Sequence, residues 1–177
     1  CYKNYPGTEL TVEYQESIYV GYRFYNTNNL NVLFPFGYGL SYTEFEYSNL
    51  KVNKKDNEIE ILFKIKNIGN MKGKEIAQIY ISQENSCIFK PKKELKEFEK
   101  VELDVGEEKE IKIVLSKKAF EYYNPETFSW SVEQGKYKIL IGKSSKDIVL
   151  EKEIFIESKD KNIEKQYPKK YYTGNIN

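Results

Sequence analysis

Histidine is absent from this 177-residue chain, and cysteine, methionine and tryptophan are scarce. Histidine is the commonest general base and the commonest metal ligand in proteins. Its absence excludes, within this chain, a Ser-His-Asp triad, a Cys-His pair and any metal site built on histidine. The sequence therefore predicts no catalytic residue of these classes and no metal site.

Other absences restrict the compartment and the partners. Cys1 and Cys87 are too few for a disulfide framework. No apolar run approaches the roughly 20 residues of a membrane helix, and no stretch resembles a signal peptide. Basic and acidic residues number 28 and 27, so charge gives no argument for nucleic acid or a membrane. We expect neither partner. The missing signal peptide mildly favours the cytoplasm. Cys1 in place of Met, however, indicates a piece of a longer chain, and the missing N-terminus of that chain would contain any signal peptide.

What the chain has in abundance is strand-forming residues. Tyrosine occurs 16 times, isoleucine and valine are frequent, and alanine is almost absent. From Phe45 onward, apolar residues alternate in short runs separated by turn signals. The pattern predicts about seven strands in an all-β, immunoglobulin-like sandwich. Its buried faces are predicted at Ile59, Ile61, Phe63, Ile65, Ala77, Ile79, Ile81, Ile111, Ile113, Leu115, Tyr137, Ile139 and Ile141.

Two runs near the start carry a family resemblance. Residues 14–25 read YQESIYVGYRFY, and residues 34–50 read FPFGYGLSYTEFEYSNL. Together with GKEIAQIYI at 73–81, KELKEFEK at 93–100 and GKY at 135–137, they closely resemble the C-terminal part of family 3 glycoside hydrolases, the β-glucosidase group. The family often has glycine on both sides of the glutamate, where this chain has Gln15 and Ser17. The resemblance implies a fibronectin type III-like sandwich preceded by a short remnant of an α/β sandwich domain.

The resemblance also divides the chain. Residues 1–33 would be the C-terminal remnant of the α/β sandwich domain, 34–44 an interdomain linker, 45–157 the fibronectin type III-like domain and 158–177 a C-terminal extension. Residues 1–33 offer too little apolar surface to fold alone. We therefore expect them to pack on other structure and to expose apolar surface if the rest of their domain is missing.

Catalytic carboxylates are not expected here. A retaining glycosidase needs two of them about 5 Å apart, and Glu13 and Glu16, three residues apart on a strand-like segment, would face different ways. In the resembled family, the nucleophile is an aspartate of the N-terminal barrel and the acid/base is a glutamate of an earlier part of the sandwich domain. Neither motif is present, so Glu16 is interpreted as structural. The resemblance implies no cofactor.

Arg23 and an aromatic cluster are the remaining candidate sites. Arg23, the only arginine, could form a bidentate contact with a carboxylate or phosphate, but a buried structural ion pair is the favoured interpretation. Tyr122, Tyr123 and Trp130, with Phe128 between them, could stack on a sugar. Such clusters also anchor sandwich cores and corners, and that interpretation is favoured.

The sequence leads to one preferred function and two alternatives. The chain is expected to be a non-catalytic structural domain of a family 3 glycoside hydrolase, braced against that enzyme's catalytic domains in cis. The first alternative is a stand-alone sandwich that binds carbohydrate or protein. The second is a split enzyme whose catalytic chain is separate and acts with this one in trans.

Overall fold

Two antiparallel sheets pack into a β-sandwich in the computed structural model, which describes residues 7, 10–12, 14, 17–124 and 126–160. One sheet has three strands in the order β1-β2-β5, and the other has four in the order β4-β3-β8-β9. A separate hairpin pairs β6 with β7. The elements are α1 (Tyr22–Thr27), β1 (Phe45–Lys55), β2 (Glu58–Asn67), β3 (Gly73–Ser82), β4 (Glu94–Leu103), β5 (Glu108–Ser116), a 3₁₀ helix (Lys117–Phe120), β6 (Glu121–Asn124), β7 (Ser129–Val132), β8 (Gly135–Gly142) and β9 (Ile148–Ile156).

The core lies between the two sheets, where alternate residues of each strand point inward. In the three-stranded sheet, Ile61 pairs with Ile113. In the four-stranded sheet, Ile79 pairs with Ile141. All four side chains are buried, and burying an isoleucine contributes roughly 1.5–3 kcal/mol. The predicted all-β sandwich is confirmed, and the predicted inward faces of β2, β3, β5 and β8 are all buried.

The connection between β5 and β8 also follows the sequence pattern. The single helical turn expected over residues 116–123 is the 3₁₀ helix Lys117–Phe120, and Phe120 is buried against Tyr137 with ring centroids 5.3 Å apart. The brief strand expected from Phe128 is β7, which pairs with β6. The described residues form nine strands, seven in the two large sheets and two in this hairpin, against the expected number of about seven.

Glu60 is more enclosed than its position predicts. Strand alternation places it on the solvent side of β2, yet the residue is only 8% exposed. Its carboxylate accepts hydrogen bonds from Lys55 at 3.0 Å and Asn53 at 3.2 Å, and Lys112 lies 2.8 Å away. The contacts with Lys112, Lys55 and Asn53, in that order, lower the pKa of Glu60 to about 2. Neighbours from β1 and β5 therefore convert a surface position into an ion-pair centre.

Helix α1 was not expected. It has six residues, four of them large or aromatic, and no side chain caps its N-terminus. A helix this short is unstable alone, because too few hydrogen bonds repay the cost of nucleation. Contacts with the sandwich must therefore hold it.

Candidate functional site

The outer face of the four-stranded sheet is covered by residues 17–43, called here the junction segment. Gln78 and Tyr80 point away from the core, yet both are buried. The ring of Tyr22 stacks on Phe36 at 4.9 Å and meets Tyr80 edge-on at 5.9 Å. The sheet is thus sandwiched between its own core and a second, aromatic layer supplied by the N-terminal part of the chain.

Polar contacts fix α1 to the region around β4. The backbone N–H of Leu95 donates to the Tyr22 hydroxyl at 2.7 Å, and the N–H of Lys92 donates to Thr27 Oγ1 at 3.1 Å. Arg23 Nη2 lies 3.2 Å from Glu94 Oε1, with both side chains partly buried. The ion pair predicted for Arg23 is therefore present, but it is partly exposed and not buried as expected.

The second half of the junction segment is held by the loop between β8 and β9. The N–H of Ser145 donates to the carbonyl of Phe36 at 2.8 Å, and Lys146 Nζ donates to the carbonyl of Leu30 at 3.1 Å. These two bonds tie the segment to the sandwich at positions six residues apart. The loop therefore supports the segment along its length and not at a single point.

The junction segment comes closest to β3 at Gly37. Gln78 Nε2 donates to the carbonyls of Lys143 and Gly37, at 2.9 and 3.3 Å. A Cβ on Gly37 would overlap the Gln78 amide, and Gly37 has φ +80°. This close approach therefore requires glycine, which has no Cβ and adopts positive φ without strain.

A buried ion pair fixes the loop that connects β3 to β4 and contacts α1. The Glu133 carboxylate accepts hydrogen bonds from Ser86 Oγ at 2.6 Å and the Cys87 N–H at 2.5 Å, and lies 3.4 Å from Lys90 Nζ. The Lys90 side chain is only 17% exposed, and burial lowers its pKa. Glu133, just before β8, thus holds the loop that contacts the junction segment.

An open cleft of about 870 Å³ lies where the junction segment meets the sandwich. Beneath it, the Tyr47 hydroxyl donates to Glu75 Oε1 at 2.8 Å, and Lys143 Nζ donates to the carbonyl of Phe45 at 2.9 Å. Burial is the largest cause of a raised pKa at both Glu75 and Tyr47. The lining also includes Tyr38, Leu40, Ile76, Lys74, Lys146 and Asp147.

Part of the junction segment is apolar and exposed. Leu33, Leu40 and Tyr42 are 88%, 90% and 94% exposed, and Phe34 and Tyr38 are at least half exposed. Scattered apolar residues are normal on a protein surface, but a group of large ones within one short segment marks an interaction surface. The expectation for residues 1–33 agrees with the structure over the part of them that it describes, since Tyr22 packs on the sandwich whereas Leu10, Tyr14 and Leu33 are exposed.

The aromatic cluster near β6 is divided by the hairpin. Tyr122 pairs with Ser131, a buried residue, whereas Tyr123 pairs with Trp130 on the other side of the ladder. The rings of Tyr123 and Trp130 meet edge-on with centroids 5.7 Å apart. Tyr123 is 49% and Trp130 66% exposed, and Phe128 is also exposed. Tyr123, Phe128 and Trp130 are therefore exposed and do not lie in the core, whereas the interpretation of the cluster as an anchor of a sandwich corner stays a prediction.

The structure describes neither of the two candidate carboxylates and only the first residues of the C-terminal extension. Glu13 and Glu16 lie outside the described residues, as do residues 161–177 of the extension. Within the part of the chain that the structure describes, no group of three or more Cys, Asp or Glu side chains is arranged to hold a metal ion. Over the same residues, no helix is both long and apolar enough to cross a membrane.

The two packed antiparallel sheets form a fibronectin type III-like β-sandwich, and residues 75–145 match the model of the family described as "Fibronectin type III-like domain". The chain is 50% identical over 161 residues to the thermostable β-glucosidase B of Acetivibrio thermocellus, covering 89% of this chain and 21% of that protein. It also resembles two solved structures. The family 3 β-glucosidase of Bifidobacterium adolescentis matches with a TM-score of 0.87 and 35% identity, over 91% of this chain and 24% of that one. The β-glucosidase of Kluyveromyces marxianus in complex with glucose matches with a TM-score of 0.82 and 45% identity, over 86% and 19%.

The chain belongs to the C-terminal, fibronectin type III-like part of the family 3 glycoside hydrolases. It spans about a fifth of the length of the curated relatives it matches. The motifs at 14–25 and 34–50, together with the runs at 73–81, 93–100 and 135–137, carried the resemblance to this family. The roles of Gln78, Tyr80 and Glu133 were missed, because strand alternation says nothing about which distant segment covers an outward-facing side chain.

Proposed function

We propose that this chain is the non-catalytic C-terminal part of an enzyme that hydrolyses terminal β-linked glucosides, and that it braces the catalytic domains of that enzyme in cis. The observation that carries the proposal is the junction segment, which is fixed to the sandwich and also presents exposed apolar side chains. A rigid support of this kind keeps catalytic groups in productive geometry.

The junction segment supports a brace better than a flexible tether. Its contacts come from three separate parts of the sandwich: the Tyr80 ring, the region of Glu94 and Leu95, and the Ser145 loop. Forces on the segment are therefore shared by packed elements rather than by a single linker. The cleft beside it, whose lining includes Glu75 and Lys143, provides a shaped surface for the preceding domain to enter.

A chimeric enzyme tests this proposal. This chain would replace the matching C-terminal fifth of the thermostable β-glucosidase B of Acetivibrio thermocellus, with which it shares 50% identity. Hydrolysis of p-nitrophenyl β-glucoside and thermal inactivation would be measured for the chimera, for the relative lacking that fifth, and for the isolated chain. We expect activity in the chimera, a large loss in the shortened relative and none in the isolated chain.

Two results would contradict the proposal. Hydrolysis by the isolated chain, purified to constant specific activity, would show that it carries its own catalytic groups. A shortened relative with the activity and thermal stability of the complete enzyme would show that this part braces nothing. Activity recovered by mixing the isolated chain with the shortened relative would instead support the same contact acting in trans.

A further inference from the structure

We propose that Tyr123, Phe128 and Trp130 form a carbohydrate-stacking surface that binds β-linked glucan chains. These three side chains are called here the hairpin aromatic surface. The surface lies on the β6–β7 hairpin, which joins neither of the two large sheets. The choice of a β-glucan as ligand rests on the proposed function, whereas the existence of the surface does not.

The aromatic pair is held in place before any ligand arrives. Tyr123 and Trp130 are cross-strand partners in the hairpin ladder, and their rings contact each other edge-on at 5.7 Å. Cross-strand aromatic pairs stabilise one another, so little side-chain freedom is lost on binding. Because an edge-on contact covers at most one face of either ring and both residues are exposed, ring surface is accessible on which the apolar face of a sugar can stack.

The end of the hairpin also carries exposed hydroxyl groups. Thr127 Oγ1 and Ser129 Oγ are hydrogen-bonded to each other at 2.8 Å and both residues are exposed, although Ser129 pairs with Asn124 on the opposite side of the ladder from Trp130. Hydroxyl groups can donate and accept hydrogen bonds, which matches the hydroxyls of a glucan. Phe128, between them in the sequence, has φ +50°, an unfavourable conformation for a bulky residue, and its ring is exposed to solvent.

A small ligand suits this surface better than a folded protein partner. Among the described residues 121–124 and 126–132, the exposed apolar side chains are the three aromatic ones, and Val132 is buried. Even if fully buried, three aromatic side chains contribute at most about 150–250 Å² each, less in sum than the ~800 Å² per partner of a standard protein interface. The aliphatic surface expected of a protein contact lies instead at Leu33 and Leu40.

Trp130 is the only tryptophan in the chain, so its fluorescence reports directly on this surface. The 177-residue chain would be titrated with cellohexaose and, for comparison, with the α-linked maltohexaose. We expect a saturable change in Trp130 emission and reduced iodide quenching with cellohexaose, with a dissociation constant on the order of 1 mM. Maltohexaose should bind much more weakly.

Variants show whether the rings carry the binding. Calorimetry with cellohexaose would compare the wild type with Trp130→Leu and Tyr123→Ala, and with Phe155→Ala, which removes an exposed aromatic ring from β9. We expect binding to weaken at least about tenfold in each hairpin variant and to stay unchanged in Phe155→Ala. Circular dichroism would confirm folding, and Trp130→Leu keeps an apolar side chain in case truncation disturbs the hairpin.

Four outcomes would overturn the proposal. Resistance of Trp130 to iodide without sugar would mean that another part of the chain already covers it. The second outcome is Trp130 emission that stays unchanged at roughly ten times the expected dissociation constant of cellohexaose. The third is binding that survives in both hairpin variants, and the fourth is equal binding of maltohexaose. None of these readouts depends on catalysis. An inactive chimeric enzyme would therefore contradict the proposed function without contradicting sugar binding at the hairpin aromatic surface.

Discussion

At the residue scale, the most consequential side chains are charged groups that the fold encloses. Glu133 and Lys90 form a pair that is much less exposed than Lys136 and Glu153. Exposed ion pairs contribute little because water screens them, whereas removing one partner of an enclosed pair leaves an uncompensated charge. Removing the carboxylate should therefore lower the free energy of unfolding much more in the enclosed pair than in the exposed pair.

Replacing Glu133 with alanine should destabilise the protein by about 3 kcal/mol, because Lys90 loses its counter-ion and the Cys87 N–H loses its acceptor. Urea unfolding at neutral pH would measure the change. Glu153→Ala, in the exposed pair with Lys136, serves as the control and should stay within about 0.5 kcal/mol of the wild type. Equal losses of stability in the two variants would show that the enclosed Glu133–Lys90 pair contributes no more to stability than the exposed pair.

Glu75 should make the stability of the protein depend on pH. Burial, the largest cause, raises the pKa of Glu75 above its ordinary value, although its hydrogen bond from Tyr47 and the nearby Lys143 oppose this. The folded state then holds the proton more tightly than the unfolded state. This group's contribution to the free energy of unfolding is present below the unfolded pKa and is lost as pH rises through the folded pKa.

Glu75→Gln removes that titration and should gain stability relative to the wild type as the pH rises from about 4 to about 7. The side-chain carbonyl of the introduced glutamine can still accept the Tyr47 hydrogen bond, so packing is preserved. Urea unfolding at each pH unit would measure the difference between the two proteins. A difference that stays constant across this range would contradict a raised Glu75 pKa.

At the element scale, the close approach of the junction segment to β3 depends on one glycine. Gly37→Ala would drive Cβ into the Gln78 amide and would strain a residue with φ +80°. We expect a loss of about 1–3 kcal/mol, measured by thermal unfolding, and faster proteolysis within the junction segment. Gly39→Ala is the matched control, since a Cβ at Gly39 would meet open space among the described residues. Similar behaviour of the two variants would mean that the segment adapts without this contact.

The sequence predicted β2 and β5 correctly because apolar and polar residues alternate along a strand that buries one face. Each of these two strands buries one face in the core. The same logic was incomplete for β3, whose outer residues Gln78 and Tyr80 are also buried. Their cover comes from Gly37, 41 residues before Gln78, and from Tyr22, which lies earlier still. Local periodicity contains no information about a contact made across that separation.

At the scale of the whole molecule, the junction segment is both fixed to the sandwich and open to an outside contact. If its exposed side chains contact the catalytic domains, a polar substitution there should affect the chimeric enzyme but not the isolated chain. Leu40→Ser should leave the melting temperature of the isolated chain unchanged, because Leu40 is 90% exposed. In the chimera, it should lower the temperature of half-inactivation by several degrees, roughly 2–4 °C for each kcal/mol lost.

Val114→Ser is the control for this experiment, because Val114 is a partly exposed residue of β5 on the three-stranded sheet. It should affect the isolated chain and the chimera equally. If Leu40→Ser behaved in the same way as Val114→Ser, the exposed apolar surface would not be the contact with the catalytic domains. The measurement would then point to another surface of the sandwich.

The sequence by itself determined the fold class, the strand pattern and the family, because alternation, turn residues and the motifs at 14–25 and 34–50 are local features. Only the tertiary structure decided that α1 lies on the outer face of β3, that Glu133 holds the loop containing Cys87, and that Tyr123 and Trp130 face solvent. Aromatic residues have the same local preferences whether they are buried or exposed. Which of them becomes buried depends on the surfaces that distant parts of the chain bring against them.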